Sequence, residues 1–385
     1  MTGRFGDFVL ANARIVLADA VIERGWVAVA DGRIAEIGEG RPPSPGEDLG
    51  GDLLIPGLVE LHTDHLEMHF VPRPKVHWDP MAAAVSYDAQ LATSGITTAL
   101  DSVRIWREAG AQEIDGQHEL LSEAIAKARD ADLLRADHFL HLRCEVPMPD
   151  MIPDVENMVG RRDVRLMSLM DHTPGQRQFR DDEKLRTYYR GKKGGLTDAE
   201  LDKMFELRRR YQAQYAEPNR RALIDLARRR GIPLASHDDT VPEHVSEAID
   251  ADVAIAEFPC TAEAAAALHG AGIKVLMGAP NLVRGGSHSG NVATAELAAA
   301  GVLDIMSSDY VPSALMLGAL RLPQAVPRFD LPAAIRTVSR TPAHAIGLTD
   351  RGEIAVGKRA DLVRVYSRAG ASTARMVWRE GRRVA

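Results

Sequence analysis

Apolar residues recur along this chain in two rhythms, and the change from one to the other outlines its organisation. Residues 8–37 give short β-rich runs broken at Ala18-Asp19, Glu23-Arg24-Gly25 and Asp31-Gly32-Arg33. The last break is a strong hairpin signal, because Asp-Gly supplies the left-handed residues of a tight two-residue turn. The far end repeats this style, with strand-like runs at 362–366 and 374–378 before Glu380-Gly381-Arg382. The two ends are therefore expected to pair into one small discontinuous β domain, residues 1–53 plus 350–385. Between them, in 54–349, strand-like runs alternate with Ala-rich helical stretches, the pattern of βα units around a parallel sheet. Eight such runs are present, at 54–61, 96–103, 138–146, 164–170, 232–236, 253–258, 273–277 and 303–307. That is the number a (β/α)8 barrel needs, so the predicted class is α/β, a barrel carrying a small β domain made from both chain ends.

Barrel active sites sit where the strands end, so the residues just past each run carry the chemistry. The first run stops abruptly at His62, Asp64 and His65 and is followed by Arg73 and Lys75. Side chains alternate along a strand, placing His62 and Asp64 on one face as plausible ligands for one divalent ion. Alone, such a pair is as readily a polar strand-to-loop junction. Its neighbours change the weighting. The other run ends read Asp101 and Arg104; Glu145; Asp171 and His172; His237, Asp238 and Asp239; Glu257; Asn281; and Asp309. In the third run the same alternation puts His141, Arg143 and Glu145 together, Glu145 nearest the rim, and turns Cys144 outward as a packed thiol.

The longest departure from βα alternation is residues 173–230, opening with a stretch of seven basic and three acidic residues. Most of it reads as a solvated helical insertion, but Arg177, Lys192 and Lys193 lie in Gly-containing loops of the kind that form lids. A second anion-binding loop is expected at 278–291, where Arg284, Ser287 and His288 stand among glycines that allow close backbone approach. A net charge of −7 argues against general nucleic-acid binding. Two cysteines, Cys144 and Cys260, fit a reducing compartment, and no signal or membrane-spanning pattern appears, so a cytoplasmic location is expected. The partner this composition admits is a small molecule, with no role for a membrane, and self-association into a homo-oligomer is compatible with it.

Several segments carry a family resemblance: ELHTDHLEMHFVPRPKVHW, HLRCEVP, SLMDHTPGQRQFRD, SHDDT, EFPCTAEAA, GAPNLVRGGSHSGN and SSDYVPSALM, spanning about residues 55–318. Together with the terminal β domain they resemble the amidohydrolase superfamily of metal-dependent hydrolases. Within it they are most similar to the triphosphate diphosphatases of the carbon-phosphorus lyase pathway of phosphonate use. The resemblance implies hydrolysis of α-D-ribose 1-methylphosphonate 5-triphosphate to the 5-phosphate and pyrophosphate. It implies a divalent metal cofactor of one or two ions, Zn2+ first, with Mn2+ or Fe2+ as alternatives. His62, Asp64, Glu145, His172 and His237 would hold metal, and Asp309 would touch it and accept the proton of the attacking water. Arg73, Lys75, Arg143, Arg177, Lys192, Lys193, Arg284 and His288 are the pool for phosphate and phosphonate contacts. The chain departs from the common superfamily pattern twice. Asp64 stands where the second His of H-x-H is usual, and no lysine ends strand four, which makes Glu145 the candidate bridging ligand. Two other readings stand beside this one: a C–N bond hydrolase such as a cyclic amidase or deacetylase, and a non-catalytic scaffold that has lost its metal. The basic loops favour a polyanionic substrate over the first, and the polar rim disfavours the second.

Overall fold

The computed structural model describes residues 7–107, 116–161, 163–179, 185–186, 197–287 and 290–385. Sixteen strands form two sheets among these residues: β1 (Phe8–Val16), β2 (Val21–Ala30), β3 (Arg33–Glu39), β4 (Glu47–Asp48), β5 (Leu53–Pro56), β6 (Leu58–Thr63), β7 (Ile96–Ile105), β8 (Asp137–Glu145), β9 (Val164–Met170), β10 (Leu234–His237), β11 (Ile255–Glu257), β12 (Lys274–Gly278), β13 (Ile305–Ser307), β14 (Leu362–Arg368), β15 (Ala371–Arg379) and β16 (Arg382–Arg383). The first sheet joins both chain ends in the order β16-β15-β14-β5-β1-β2-β3, with β4 on β1. The Asp-Gly hairpin forms as expected, with Asp31 at φ 48° and Gly32 at φ 72°. The second sheet runs β6 to β13 in chain order with every ladder parallel. It is the eight-stranded barrel.

The run at 54–61 is two strands rather than one. Its first half, β5, pairs with β1 and β14 in the terminal sheet, and its second half opens the barrel. The break falls at Gly57, whose N–H donates to Asp361 O at 2.8 Å. A Cβ there would stand 2.2 Å from Thr97 Oγ1, so the crossing from one sheet to the other demands glycine. The same corner is tied by charge: Asp137 at the start of β8 accepts from Arg351 at 2.6 Å and Arg379 at 3.3 Å, and also from Arg359.

An apolar layer fills the barrel, built from Val59, Leu61, Leu100, Leu166, Ala235, Ile255, Leu276 and Ile305, all buried. A larger cluster packs the outer strand faces against the surrounding helices. Between β6 and β13 no regular ladder forms. Val59 N–H donates to Val338 O at 2.9 Å and Met306 N–H to Thr337 O at 3.0 Å, so residues 337 and 338 fill the seam below. Above, Thr63 and Asp309 make a single parallel bridge. The insertion is largely the helices Asp198–Tyr211 and Glu217–Arg230 with a π-turn between them, anchored by Asn219 Nδ2 donating to Val146 O and Met148 O, each at 2.9 Å. Both cysteines are buried thiols.

His138, at the foot of β8, is fully enclosed between Asp101 (3.0 Å) and Asp88 (3.2 Å). Burial opposes its charge, yet the two carboxylates raise its pKa from 6.5 to about 10. His138→Gln should therefore destabilise the fold by about 3–5 kcal/mol near neutral pH, since it strands buried carboxylates. The folded pKa lies above the unfolded one, so the stabilisation is complete below about pH 6.5 and disappears as pH rises through about 10. Denaturant titrations of both proteins across that range check this, and a constant difference would show that His138 is not charged in the folded state.

Candidate metal centre

The first candidate ligand, His62, owes its position to a bulge. On β6, Glu60 pairs with Ala99 and Thr63 with Asp101, three residues spanning what β7 spans in two. Leu61 already faces the barrel interior, and the extra residue re-aims the strand so that His62 turns inward above it. His62 Nδ1 then lies 2.9 Å from Glu257 Oε1 at the end of β11, across the barrel. His237, the last residue of β10, has its ring 5.6 Å from that of His62 and 5.5 Å from that of His172.

Two groups of donor atoms converge here, each within 4.8 Å: His62, His237 and Glu257; and His172, His237 and Asp238. Imidazole and carboxylate donors suit divalent ions such as Zn2+. The donor set also fits a cation by what it lacks. Among the described residues Glu257 Oε2 is buried without a hydrogen-bond partner, and His237 Nδ1 has only the carboxylate of the adjacent Asp238, at 3.1 Å. A buried carboxylate oxygen left unpaired is costly unless something electropositive completes it.

His172 is held by Glu145, whose Oε1 accepts its backbone N–H and whose Oε2 accepts Nδ1–H, both at 2.6 Å. Although burial raises it, the Glu145 carboxyl is held down to about 2 by His172. The expectation that Glu145 bridges metal ions is thus replaced here by a different geometry: both its oxygens face His172, and it stands outside the converging groups. It fixes the His172 tautomer and leaves Nε2 to point at the centre, the usual task of a ligand's partner. Asp64 is likewise outside the two groups, with Arg143 Nη1 donating to its Oδ2 at 3.3 Å.

Three of the strand-end residues hold left-handed backbone: Asp238 (φ 56°), Phe258 (φ 54°) and Asp309 (φ 53°). Such conformations are uncommon for non-glycine residues, and for an aromatic residue they are outliers that gather at functional sites. Phe258 sets its ring edge-on to His62 at 4.9 Å and to His237 at 5.5 Å, bracing both imidazoles. Asp309 closes the barrel mouth opposite. Burial and the neighbouring Asp64 carboxylate push it up to about 7, against the pull of Arg143. Beneath it, Glu60 is a fully enclosed carboxylate accepting His62 N–H at 2.7 Å and Ser308 N–H at 2.6 Å. Burial raises it to about 7.

The basic residues separate by environment. Arg143 is interior, beside the centre. Arg177 is not a free phosphate contact: its guanidinium is buried, donating to Asp239 Oδ1 at 2.7 Å, His237 O at 3.0 Å and Glu247 Oε2 at 3.1 Å. It pins the loop after β9 to the end of β10, which its loop position could not disclose. Arg73, Lys75 and Arg284 are exposed. Lys192, Lys193 and His288 lie outside the described residues. Glu257, which the sequence places among the strand-end residues without a further role, joins His62 and His237. Asp238 stands among the strand-end residues the sequence points to, though not among the expected ligands; Phe258 and Glu60 do not, because their roles depend on backbone geometry.

Glu60→Gln keeps the side chain's shape but replaces one acceptor oxygen by a donor, leaving either His62 N–H or Ser308 N–H unpaired at about 1–3 kcal/mol. Metal content of the purified variant should fall, and kcat should drop about tenfold or more as His62 and Asp309 lose alignment. Full metal content with unchanged kcat would show that the seam tolerates the loss.

Comparison with known proteins is consistent with this centre. The chain is 45% identical over 379 residues, 98% of its length and 100% of the relative's, to the α-D-ribose 1-methylphosphonate 5-triphosphate diphosphatase of Escherichia coli (strain K12). Among solved structures, an amidohydrolase from an environmental sample of the Sargasso sea superposes with a TM-score of 0.65 at 15% identity, covering 99% of this chain and 93% of that one. The N-acetyl-D-glucosamine-6-phosphate deacetylase of Mycobacterium smegmatis gives 0.63 at 18% identity, covering 98% and 100%. These two likenesses are of fold. Residues 81–385 match the Amidohydrolase family, and the chain belongs to that family.

Proposed function

We propose that this protein hydrolyses α-D-ribose 1-methylphosphonate 5-triphosphate to the 5-phosphate and pyrophosphate, a step of phosphonate breakdown. The observation that carries the reading is the end-to-end likeness to a diphosphatase of that substrate. The geometry supports it. A phosphoric anhydride bearing several negative charges needs cationic groups around it and a base for the attacking water. Here His62, His172, His237, Asp238 and Glu257 would hold divalent metal, with Zn2+ the ion this donor set favours and Mn2+ or Fe2+ alternatives. Bound there, the ion would neutralise phosphoryl oxygens and acidify a water to a pKa of about 7.

The chain's own groups would do the rest. Asp309, held at the mouth by the Thr63 bridge and by its N–H donating to Ser307 Oγ at 3.1 Å, takes the proton of the attacking water. Arg143 offers its unpartnered Nε to a phosphoryl oxygen while its Nη1 stays on Asp64. Phe258 excludes water from one side of the imidazoles. Asp64 keeps charge close to Asp309, favouring its protonated form once the proton has moved.

The test is a pyrophosphate-release assay on ribose 5-triphosphates and nucleoside triphosphates, alongside cyclic amides and N-acetyl sugars as C–N substrates, with metal analysis of the same preparation. Turnover of the C–N substrates without pyrophosphate release would reject the proposal. His237→Asn should lower metal occupancy, because His237 belongs to both donor groups. Asp309→Asn should keep most of the metal and the fold but lose kcat by about 10²-fold or more, the scale of a positioned base. Near-normal turnover with metal intact would move the base elsewhere.

A further inference from the structure

Beside Arg143 the barrel wall holds a second arginine, Arg104, that the metal centre leaves unexplained. Arg104 on β7 and Arg143 on β8 are register partners. They share the interior face, because Ser102 and His141, two residues earlier in the same register, meet inside the barrel at 3.2 Å. Register partners stand about 4.8 Å apart, and like charges at that spacing repel. Arg143 has the Asp64 carboxylate, whereas Arg104 has no ion-pair or hydrogen-bond partner among the described residues. Its guanidinium lies 4.5 Å from the ring of Trp106, and that of Arg208, from the inserted helix, lies 4.8 Å from the same ring. Trp106 and Arg208 are only 3% and 2% exposed. Among the described residues the Nε atoms of Arg104 and Arg143 and the indole Nε1 of Trp106 are all buried without an acceptor.

A donor patch of this kind is anomalous in a protein folding for itself. Buried donors are normally paired, yet the carboxylate near Arg104, that of Glu145, has both oxygens taken by His172, so the hydrogen-bonding capacity of Arg104 stays unspent beside a second guanidinium. The patch borders the metal centre, since Arg104 is among the charges acting on Glu145, the partner of His172. Each guanidinium offers a fork of donors suited to phosphoryl oxygens. A single phosphonate would occupy one fork and leave the other unbalanced. Two linked phosphoryl groups would occupy both.

We propose that Arg104 and Arg143, walled by Trp106 and Arg208, form the subsite for the diphosphate portion of the substrate, the part that leaves as pyrophosphate. This rests on the phosphoric-anhydride reading above. The experiment is calorimetric titration of the metal-loaded enzyme with inorganic pyrophosphate and, separately, with methylphosphonate, for the wild type and Arg104→Met. Methionine keeps an unbranched stem against Trp106 while removing charge and fork. The expected result is a Kd for pyrophosphate raised about tenfold or more, the scale of a lost charge-assisted hydrogen bond. Methylphosphonate affinity should be unchanged, and the ligand-free melting temperature should equal or exceed that of the wild type, because a repulsion has been relieved. Wild-type enzyme that does not bind pyrophosphate, a variant that binds it as the wild type does, or a loss confined to methylphosphonate would each overturn the assignment. So would a lowered melting temperature with both ligands weakened together, the mark of a structural residue. Failure of the wild type to hydrolyse triphosphates would instead reject the function, and the pyrophosphate titration would still decide the subsite.

Discussion

One buried carboxylate carries the geometry of the barrel mouth. The barrel is a ladder everywhere except between β6 and β13, where the strands are joined at the top by a single bridge. Glu60 spans that gap by accepting N–H groups from both sides, His62 on one and Ser308 on the other. Ser307 Oγ reinforces it by donating to His62 O at 2.8 Å. His62 belongs to the candidate metal centre and Ser308 precedes Asp309, so the acceptor that closes the sheet also fixes the spacing of the proposed ligand and the proposed base. Side chains replace the missing ladder because β6 is bulged at that level. The bulge is needed to turn His62 inward, and it spoils regular pairing as it does so.

The rest of the centre follows a division between rigid support and unsatisfied donors. Beneath it lie apolar side chains and the His141 ring, locked between Leu61 O and Ser168 Oγ, each at 3.0 Å. Burial drives His141 down to about 3, so it stays neutral there and adds no charge to the floor. Above that floor the left-handed residues Asp238, Phe258 and Asp309 project their side chains at angles a regular strand end would not give. Arg177 restrains the β10 end from outside by binding His237 O. The centre is therefore built on strands and braced by buried polar contacts, as positioning within a fraction of an ångström requires.

Much of this was legible in the sequence, and the limits have physical causes. The eight runs and the paired chain ends follow from local periodicity, which the parallel ladders preserve. That His62, His172, His237 and Asp309 gather at one end of the barrel was legible because strand ends in a barrel face one side. The division of 54–61 into two strands was not legible, since an apolar run looks the same whether its halves belong to one sheet or two; only the tight packing at Gly57 records the crossing. Charge was the least readable signal. Arg177 sits in a Gly-containing loop beside a rim residue, as a phosphate contact would, and nothing local shows that Asp239 and Glu247 meet it. Glu145 is placed correctly at a strand end, yet the adjacent strand's His172 takes both its oxygens.

The arginines show how charge can be sorted once partners are visible. Arg351, Arg359 and Arg379 converge on Asp137 and hold the two sheets together, and Arg177 is saturated by Asp239, Glu247 and a carbonyl. In each case the protein supplies the counter-charge, and the guanidinium serves as a cross-link. Arg104 differs because its neighbour in register is another arginine, the Glu145 carboxylate near it is bound to His172 through both oxygens, and its remaining contact is an aromatic ring. Cation–π attraction of about 0.5–2 kcal/mol partly offsets its burial but leaves donor capacity unspent. An arginine whose protein partners leave hydrogen-bonding capacity over, at the mouth of a site built for anions, is stabilised fully only when an anion arrives. On that criterion the proposed binding residues are the buried, incompletely paired cations. Arg73, Lys75 and Arg284, exposed to water on the rim, are solvated already and gain less by binding.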